Sequence, residues 1–194
     1  MRGPLNYLMP YPGVEAEYDL LVVDTEFTRL PMEKEAVWSW AEHCRLLAVA
    51  IVPLAQSEKP DHFYATRKIS KAILSICNPF VRETVIPSMG ASVATVAFDD
   101  EANLQPSLKS YLATRRRSTG KPPLLAVDWI GDAYLLRPLF EDEPAWLLLD
   151  RVPQIEFALD AGWPAERTRH NALHDAEVIR AAFATTLGWS NASD

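Results

Sequence analysis

Residues 20–27 run Leu-Leu-Val-Val-Asp-Thr-Glu-Phe, an apolar stretch closed by the two carboxylates Asp24 and Glu26. A β-strand alternates its side chains with a period of two, so these acids emerge on one face and can grip the same cation. Two like charges at the edge of a core are costly unless something positive neutralises them. A metal ion is the simplest candidate. An acid, a small residue and a second acid also end many solvated turns, so the pair acquires meaning only with partners elsewhere in the chain.

The rest of the chain bounds what those partners can be. It has 194 residues, 48% hydrophobic and 23% charged, enough for one sizeable core and too few for two. An irregular arm over residues 1–17, carrying Pro4, Pro10, Pro12 and Gly13, is expected to precede a single domain over residues 18–190. The net charge of -7 and pI near 5.1 exclude a general basic coat for nucleic acid but not a local groove. Cys44 and Cys77 are the only cysteines, which excludes a disulfide framework and a cysteine-rich zinc site and fits a reducing compartment. No secretory h-region is visible, and the longest apolar stretch, Leu46 to Ala55, is about half the roughly 20 residues of a membrane-spanning helix. A cytoplasmic protein without a membrane partner is expected.

Around the Asp24 strand, read as Asp19 to Phe27, two more strands follow at Arg45 to Leu54 and His62 to Thr66. Short connections make these three an antiparallel meander. Thr28 to His43, with Trp38 and Trp40, is expected to be a loop carrying aromatic surface or a pocket wall. Helical patterns then cover Lys71 to Cys77, Asn78 to Ile86, and Asp99 or Asp100 to Arg117. In the last, Leu104, Leu108, Tyr111 and Leu112 share one face, and Arg115, Arg116 and Arg117 sit at the C-terminus, where cations offset the helix dipole. Leu124 to Trp129 and Leu147 to Leu149 read as buried strands. Asp132 to Phe140, Gln154 to Ala161 and Arg169 to Leu187 read as helices. Strands first, then alternating helices and strands, give an α/β fold around a mixed central sheet flanked by helices.

Two further acidic positions can complete the first pair. Asp175 shares a helical face with Ile179, Ala182 and Phe183, so its carboxylate points to the apolar side and requires a positive partner or several donors. An ion pair with Arg169 or Arg180 is the ordinary alternative. His170 stands about one and a third turns earlier, near the helix start, a useful place for a proton acceptor that titrates near neutrality. His170 and His174 also mimic half of a zinc site, but no acidic sequence completes a zincin pattern. In Asp128-Trp129-Ile130-Gly131-Asp132, the acid Asp132 would sit against the core at a strand end. N-capping of the following helix is its ordinary alternative.

Taken in order, Asp24-Thr-Glu26, Asp132, and His170 with Asp175 resemble the DEDD superfamily of 3′-to-5′ exonucleases, in its histidine (DEDDh) subclass, which has a ribonuclease H-like fold. Val-Val-Asp24-Thr-Glu26-Phe is similar to that family's first motif, Gly131-Asp132-Ala-Tyr-Leu-Leu to its second, and His170-Asn-Ala-Leu-His-Asp175-Ala to its third. The segment Asn78-Pro-Phe-Val-Arg-Glu-Thr-Val-Ile-Pro87 is similar to part of a bacterial exoribonuclease branch. One departure stands out. The second motif usually has an aromatic residue before its Asp and an Asn four positions earlier, where this chain has Gly131 and Asp128, so Asp128 competes with Asp132 for the ligand position.

The resemblance implies a ribonuclease H-like mixed sheet, antiparallel meander plus parallel strands. It also implies a site in which Asp24, Glu26, Asp132 and Asp175 hold two divalent cations, magnesium or manganese. Such hard ions prefer oxygen ligands and suit phosphodiester hydrolysis. His170 would be the general base, and nucleoside 5′-monophosphates would leave from the 3′ end of a single-stranded nucleic acid, RNA favoured over DNA. Phe27 and Leu30, directly after the first motif, are candidates for stacking or wedging the terminal bases, with Trp129 a further one. The oligomeric state stays open, a homodimer included. A phosphoesterase acting on small nucleotides or dinucleotides, and a catalytically silent binding module of the same fold, are the competing expectations.

Overall fold

The computed structural model describes residues 5, 7–11, 13–55, 61–140, 142, 144–149 and 170–186. In chain order its elements are β1 (Tyr7–Leu8), α1 (Val14–Glu17), β2 (Asp19–Phe27), α2 (Val37–His43), β3 (Leu46–Pro53), β4 (Phe63–Arg67) and α3 (Lys71–Ile76). A π-helical turn, Val81–Val85, runs into α4 (Ile86–Met89), followed by β5 (Val96–Phe98), α5 (Glu101–Thr119) and β6 (Pro123–Val127). Then come α6 (Ile130–Leu136) with a 3₁₀ turn at Arg137–Leu139, β7 (Ala145–Leu148) and α7 (Ala172–Thr186).

Strand β2 is almost wholly buried and lies near the middle of a seven-stranded sheet ordered β1-β7-β6-β2-β3-β4-β5. It pairs antiparallel with β3 and parallel with β6, and β3 pairs antiparallel with β4, the expected meander. Because β4–β5, β6–β7 and β1–β7 are parallel pairs, β3 alone opposes the other strands. The C-terminal ends of β2 and β6 therefore meet at one edge, where loops gather functional groups in open α/β sheets.

The period of two along β2 divides the core. Leu20 and Val22 face a cluster with Ala48, Ala50, Ile179 and Phe183, whereas Leu21 and Val23 face one with Leu104, Leu108 and Leu136. Thus α7 covers one face, and α5 with α6 covers the other. Asp24 and Glu26 continue the α7 face. Their cross-strand partners on β3 are Ala50 and Ala48, small side chains that leave room above the acids. The register shifts between Glu26 and Phe27, an irregularity that re-aims the strand end beside the acids.

Several elements differ from expectation. Val37–His43 is a helix, although Ala36 at its start makes no side-chain cap; burial of Trp40 against Phe27 holds it in place of local signals. Strand β5, three residues long, is too short for any period to reveal. Tyr7–Leu8 and Val14–Glu17 add regular structure within the stretch read as an irregular arm, because β7 offers Tyr7–Leu8 an edge and Val14 is buried. Arg115 does not only offset a helix dipole. It lies at i+11 from Leu104 on the buried face of α5, and its guanidinium binds Asp19 through two hydrogen bonds of 2.9 and 2.7 Å and also pairs with Asp61. The helix expected over 154–161 and the residue Arg169 lie outside the described residues. Among those residues no helix is long and apolar enough to cross a membrane, and Cys44 and Cys77 are free and buried.

Candidate active site

A cavity of about 310 Å³ opens at the C-terminal ends of β2 and β6. Asp24, Glu26, Asp128, Asp132, His170 and Asp175 line it together with Phe27, Leu30 and Trp129. All the residues that the sequence singles out for metal, proton transfer and base contact therefore reach one cleft. They form two sets whose ligand atoms lie within 4.8 Å of one another: Glu26, His170 and Asp175 in one, Asp24, Asp128 and Asp132 in the other. Asp128 and Asp132 thus come to Asp24 together, not as alternatives.

Three elements build this arrangement. Asp24 and Glu26 arrive on β2, and α7 brings Asp175 over their face because Ile179 and Phe183, one and two turns later, are fully buried against the sheet. On the other side β6 ends at Val127, and α6 starts at Ile130 with the extended residue Trp129 before it. Asp132 is consequently not the N-cap. It lies in the first turn, 2% exposed, its N–H on the Trp129 carbonyl at 3.2 Å and its carboxylate accepting the Thr25 hydroxyl. Thr25 points to the face opposite Asp24, so the strand end is held from both sides.

Electrostatics make the cleft unstable as a set of bare anions. Asp24 Oδ2 is buried and accepts no hydrogen bond. Burial first, then Asp175, Asp132, Glu26 and Asp128, push the Asp24 carboxyl well above the ordinary carboxylate range. Burial, Asp175 and Asp132 do the same to Glu26. Burial and Asp128 raise Asp132, against the Thr25 hydroxyl and backbone N–H groups, which lower it. No lysine or arginine is among the described residues lining the cleft.

His170 is held in a left-handed backbone conformation, φ 61°, which histidine adopts more readily than most residues but still at some cost. Its N–H donates to Asp175 Oδ2 at 3.2 Å, and the Ser88 hydroxyl bonds its carbonyl. Phe80 meets its ring edge-on at 5.0 Å between centroids. Fully buried Asn171 secures the same corner: its Oδ1 caps α7 through the His174 N–H at 3.3 Å, and its Nδ2 donates to the Ser88 carbonyl at 2.8 Å. His174 turns to Ser92, with Nε2 3.0 Å from Oγ, so the two histidines do not form a zinc pair.

The apolar wall is equally defined. Phe27 is half-buried between Trp40 and Trp129, with ring centroids 4.9 and 5.5 Å away. Leu30, 57% exposed, stands at the rim. It is held there because Arg29 pairs with Glu35 at 2.7 Å and the Arg29 carbonyl accepts the Trp40 indole N–H at 2.7 Å.

Thr25, Ser88, Asn171 and Phe80 also belong to the site, although none is among the residues the sequence singles out. Asn171 carries a legible signal, an Asn immediately before a helix. Thr25 was legible as the residue facing away from the acids. Ser88 and Phe80 reach His170 across more than eighty residues of chain, which no local pattern reports. A cavity of about 400 Å³ at the other end of the strands, bordered by Tyr18, Lys109, Arg116 and Phe140, is roomier but holds a single acid, Asp142, and no carboxylate cluster.

Fold and cleft together define a ribonuclease H-like α/β protein with a carboxylate-lined site at the end of its central strands. Among solved structures, the chain is similar to S. pombe Pop2p in its Mg²⁺- and Mn²⁺-bound form, with 12% identity and a TM-score of 0.55 over 94% of this chain and 88% of that one. At this identity the likeness concerns the fold. No protein-family model matches the chain, and no curated protein matches it.

Proposed function

We propose that this protein is a metal-dependent 3′-to-5′ exonuclease of the DEDD type, histidine subclass, acting on single-stranded nucleic acid with RNA favoured, through residues 18–190 in the cytoplasm. The observation that carries the reading is the buried, unbonded Asp24 Oδ2 amid Glu26, Asp128, Asp132 and Asp175. An orphaned carboxylate oxygen among four other acids fits hard divalent cations, which take oxygen ligands. The similarity of fold to Pop2p, whose structure contains Mg²⁺ and Mn²⁺, supports the same choice.

Asp24, with Asp128 and Asp132, would hold one cation, and Glu26 with Asp175 a second. When bound, such a pair stabilises the negative charge on the attacking and leaving oxygens of phosphodiester hydrolysis. The chain's own groups supply the rest. His170, fixed by Ser88, Phe80 and the Asp175 carboxylate, takes the proton from the attacking water. The water oxygen bonds to phosphorus as the bond to the 3′ oxygen breaks. That oxygen takes a proton from solvent water, which frees a nucleoside 5′-monophosphate and leaves a strand one residue shorter with a new 3′ hydroxyl. Phe27 and Leu30 would hold the terminal base at the apolar wall.

A phosphoesterase acting on dinucleotides remains the second reading. A cavity of about 310 Å³ favours it, because that is the lower end of the roughly 300–1,000 Å³ typical of small-ligand pockets. A catalytically silent module is disfavoured, since every acid and His170 is present and gathered in the cleft.

The test is incubation of the protein with end-labelled single-stranded RNA and DNA under Mg²⁺, Mn²⁺ or chelator. A ladder shortened from the 3′ end, stronger with RNA and abolished by chelator, by Asp24→Ala and by His170→Ala, is expected. Metal-independent degradation, or activity surviving Asp24→Ala, would overturn the mechanism. Cleavage confined to dinucleotides would select the second reading.

A further inference from the structure

We infer that Trp129, lying over Gly131, is the wall on which this cleft stacks a nucleobase, and that residue 131 is glycine to make room for it. The inference rests on the nucleotide-processing reading above and adds the group that recognises the base.

The first observation is spatial. A β-carbon at position 131 would fall within the Trp129 indole, against Cε3, Cζ3 and Cη2. Gly13 and Gly120 adopt positive φ angles, a backbone reason for glycine, but Gly131 does not. Gly131 is the second residue of α6, not a helix end that needs a left-handed turn, so the missing side chain calls for a packing reason. The indole supplies that reason.

The second observation is rigidity. The Trp129 ring packs 5.5 Å from Phe27 and 5.0 Å from Trp40. Trp40 is fully buried, and its indole N–H is anchored on the Arg29 carbonyl. A platform held in this way orders little on binding, which favours affinity.

The third observation is location. Trp129 is half-buried, borders the cleft and lies between Asp128 and Asp132 in sequence. A nucleotide whose phosphate is held at the carboxylate cluster through bound cations has the apolar wall that Trp129 shares with Phe27 and Leu30 beside it in the same cleft. Stacking accepts any base, because each has a π face. The ligand class is therefore nucleoside 5′-monophosphates and 3′-terminal nucleotides without strong base preference.

The test is binding of adenosine monophosphate, uridine monophosphate and ribose 5-phosphate in Mn²⁺ to the wild type and to Trp129→Ala, Trp129→Phe and Gly131→Ala. Ribose 5-phosphate has the same sugar and phosphate without the base. The wild type should prefer both nucleotides over it by roughly 5- to 100-fold. Trp129→Ala and Gly131→Ala should erase that preference while keeping ribose 5-phosphate and Mn²⁺ affinity, and Trp129→Phe should retain part of it. In Gly131→Ala the new methyl group meets the benzo edge of the indole, which must leave its place beside Phe27 and Trp40. Gly131→Ala added to Trp129→Ala should cost nothing more.

No preference in the wild type, or a preference intact in Trp129→Ala, overturns the inference. So does a parallel loss of ribose 5-phosphate binding in Trp129→Ala, which would mean the indole only supports the fold. A preference intact in Gly131→Ala overturns the role of the glycine. The nuclease reading fails separately: base preference without a 3′ ladder refutes that reading alone, and a ladder without base preference refutes Trp129 alone.

Discussion

Strand β2 buries carboxylates at both ends and neutralises them by opposite means. At its start, Asp19 takes two hydrogen bonds from Arg115, whose guanidinium also meets Asp61. Those acids hold the Arg115 pKa above its usual value. At its end, Asp24 and Glu26 meet Asp128, Asp132, Asp175 and His170, with no lysine or arginine among the described residues of the cleft. Burying a charge is affordable only with compensation. The first end carries its own cation, so it is structural. On the function proposed above, the second end receives one from solution, and that difference separates a buried salt bridge from a candidate active site within a single strand.

The largest contrast should come from removing one acid at each end. Asp24→Ala is expected to lower turnover by roughly 10³-fold, the scale of several kcal/mol of charge stabilisation at a two-metal site. The same change should raise the melting temperature of the metal-free protein, because it relieves a crowded buried charge. Asp19→Ala should do the reverse, melting lower because Arg115 loses two of its hydrogen bonds and keeps only Asp61, while folded molecules keep their activity. Paired melting curves and rate measurements would break the comparison if both variants behaved alike.

Next in size is Arg115→Ala. It leaves Asp19 buried without its cation, and breaking such a pair costs about 3–5 kcal/mol. Urea titration should register the loss at all metal concentrations, whereas Mn²⁺ affinity per folded molecule stays constant. A shift in metal affinity would show that the two ends are not independent.

The pH dependence sharpens the same point. Asp24, Glu26 and Asp132 have folded pKa values raised by burial and by one another. Between the unfolded carboxylate value of about 4 and those raised values, the unfolded chain binds fewer protons than the folded one. Stability of the metal-free protein therefore falls as pH rises through that window. Mg²⁺ or Mn²⁺ should stabilise more at pH 8 than at pH 5, as read by thermal melts with and without chelator. Equal stabilisation at both pH values would remove the carboxylates from the account.

The smallest expected effect is that of Thr25→Val, which keeps the shape but removes the hydroxyl donated to Asp132. Hydrogen bonds to charged groups contribute about 1.5–3 kcal/mol, so activity should fall by roughly 10- to 100-fold, with little change in fold by circular dichroism. An unchanged rate would show that Asp132 needs no such hold.

Much of this was legible in the chain because the controlling forces are local and periodic. The alternation along residues 19–27 placed Asp24 and Glu26 on one face, and the i, i+4, i+8 spacing of Asp175, Ile179 and Phe183 placed the last acid over it. The same logic, carried to i+11 on α5, would have buried Arg115 instead of leaving it at a solvated helix end. What local pattern could not supply was contact across the chain. Trp40 stabilises a helix without a side-chain cap by packing against Phe27, Trp129 and Leu135, and Ser88 meets His170 from 82 positions away. Asp128 could not be paired with Asp132 from sequence, since the turn between strand and helix decides which acids reach Asp24.

The most direct measurement is calorimetric titration of the metal-free protein with Mn²⁺, beside Asp24→Ala and Asp19→Ala. Saturable binding is expected for the wild type and for Asp19→Ala, with binding abolished or greatly weakened in Asp24→Ala. Wild-type protein that takes up no Mn²⁺ at millimolar concentration, or Asp24→Ala that binds it as the wild type does, would contradict the claim that the acids at the end of β2 are built around cations.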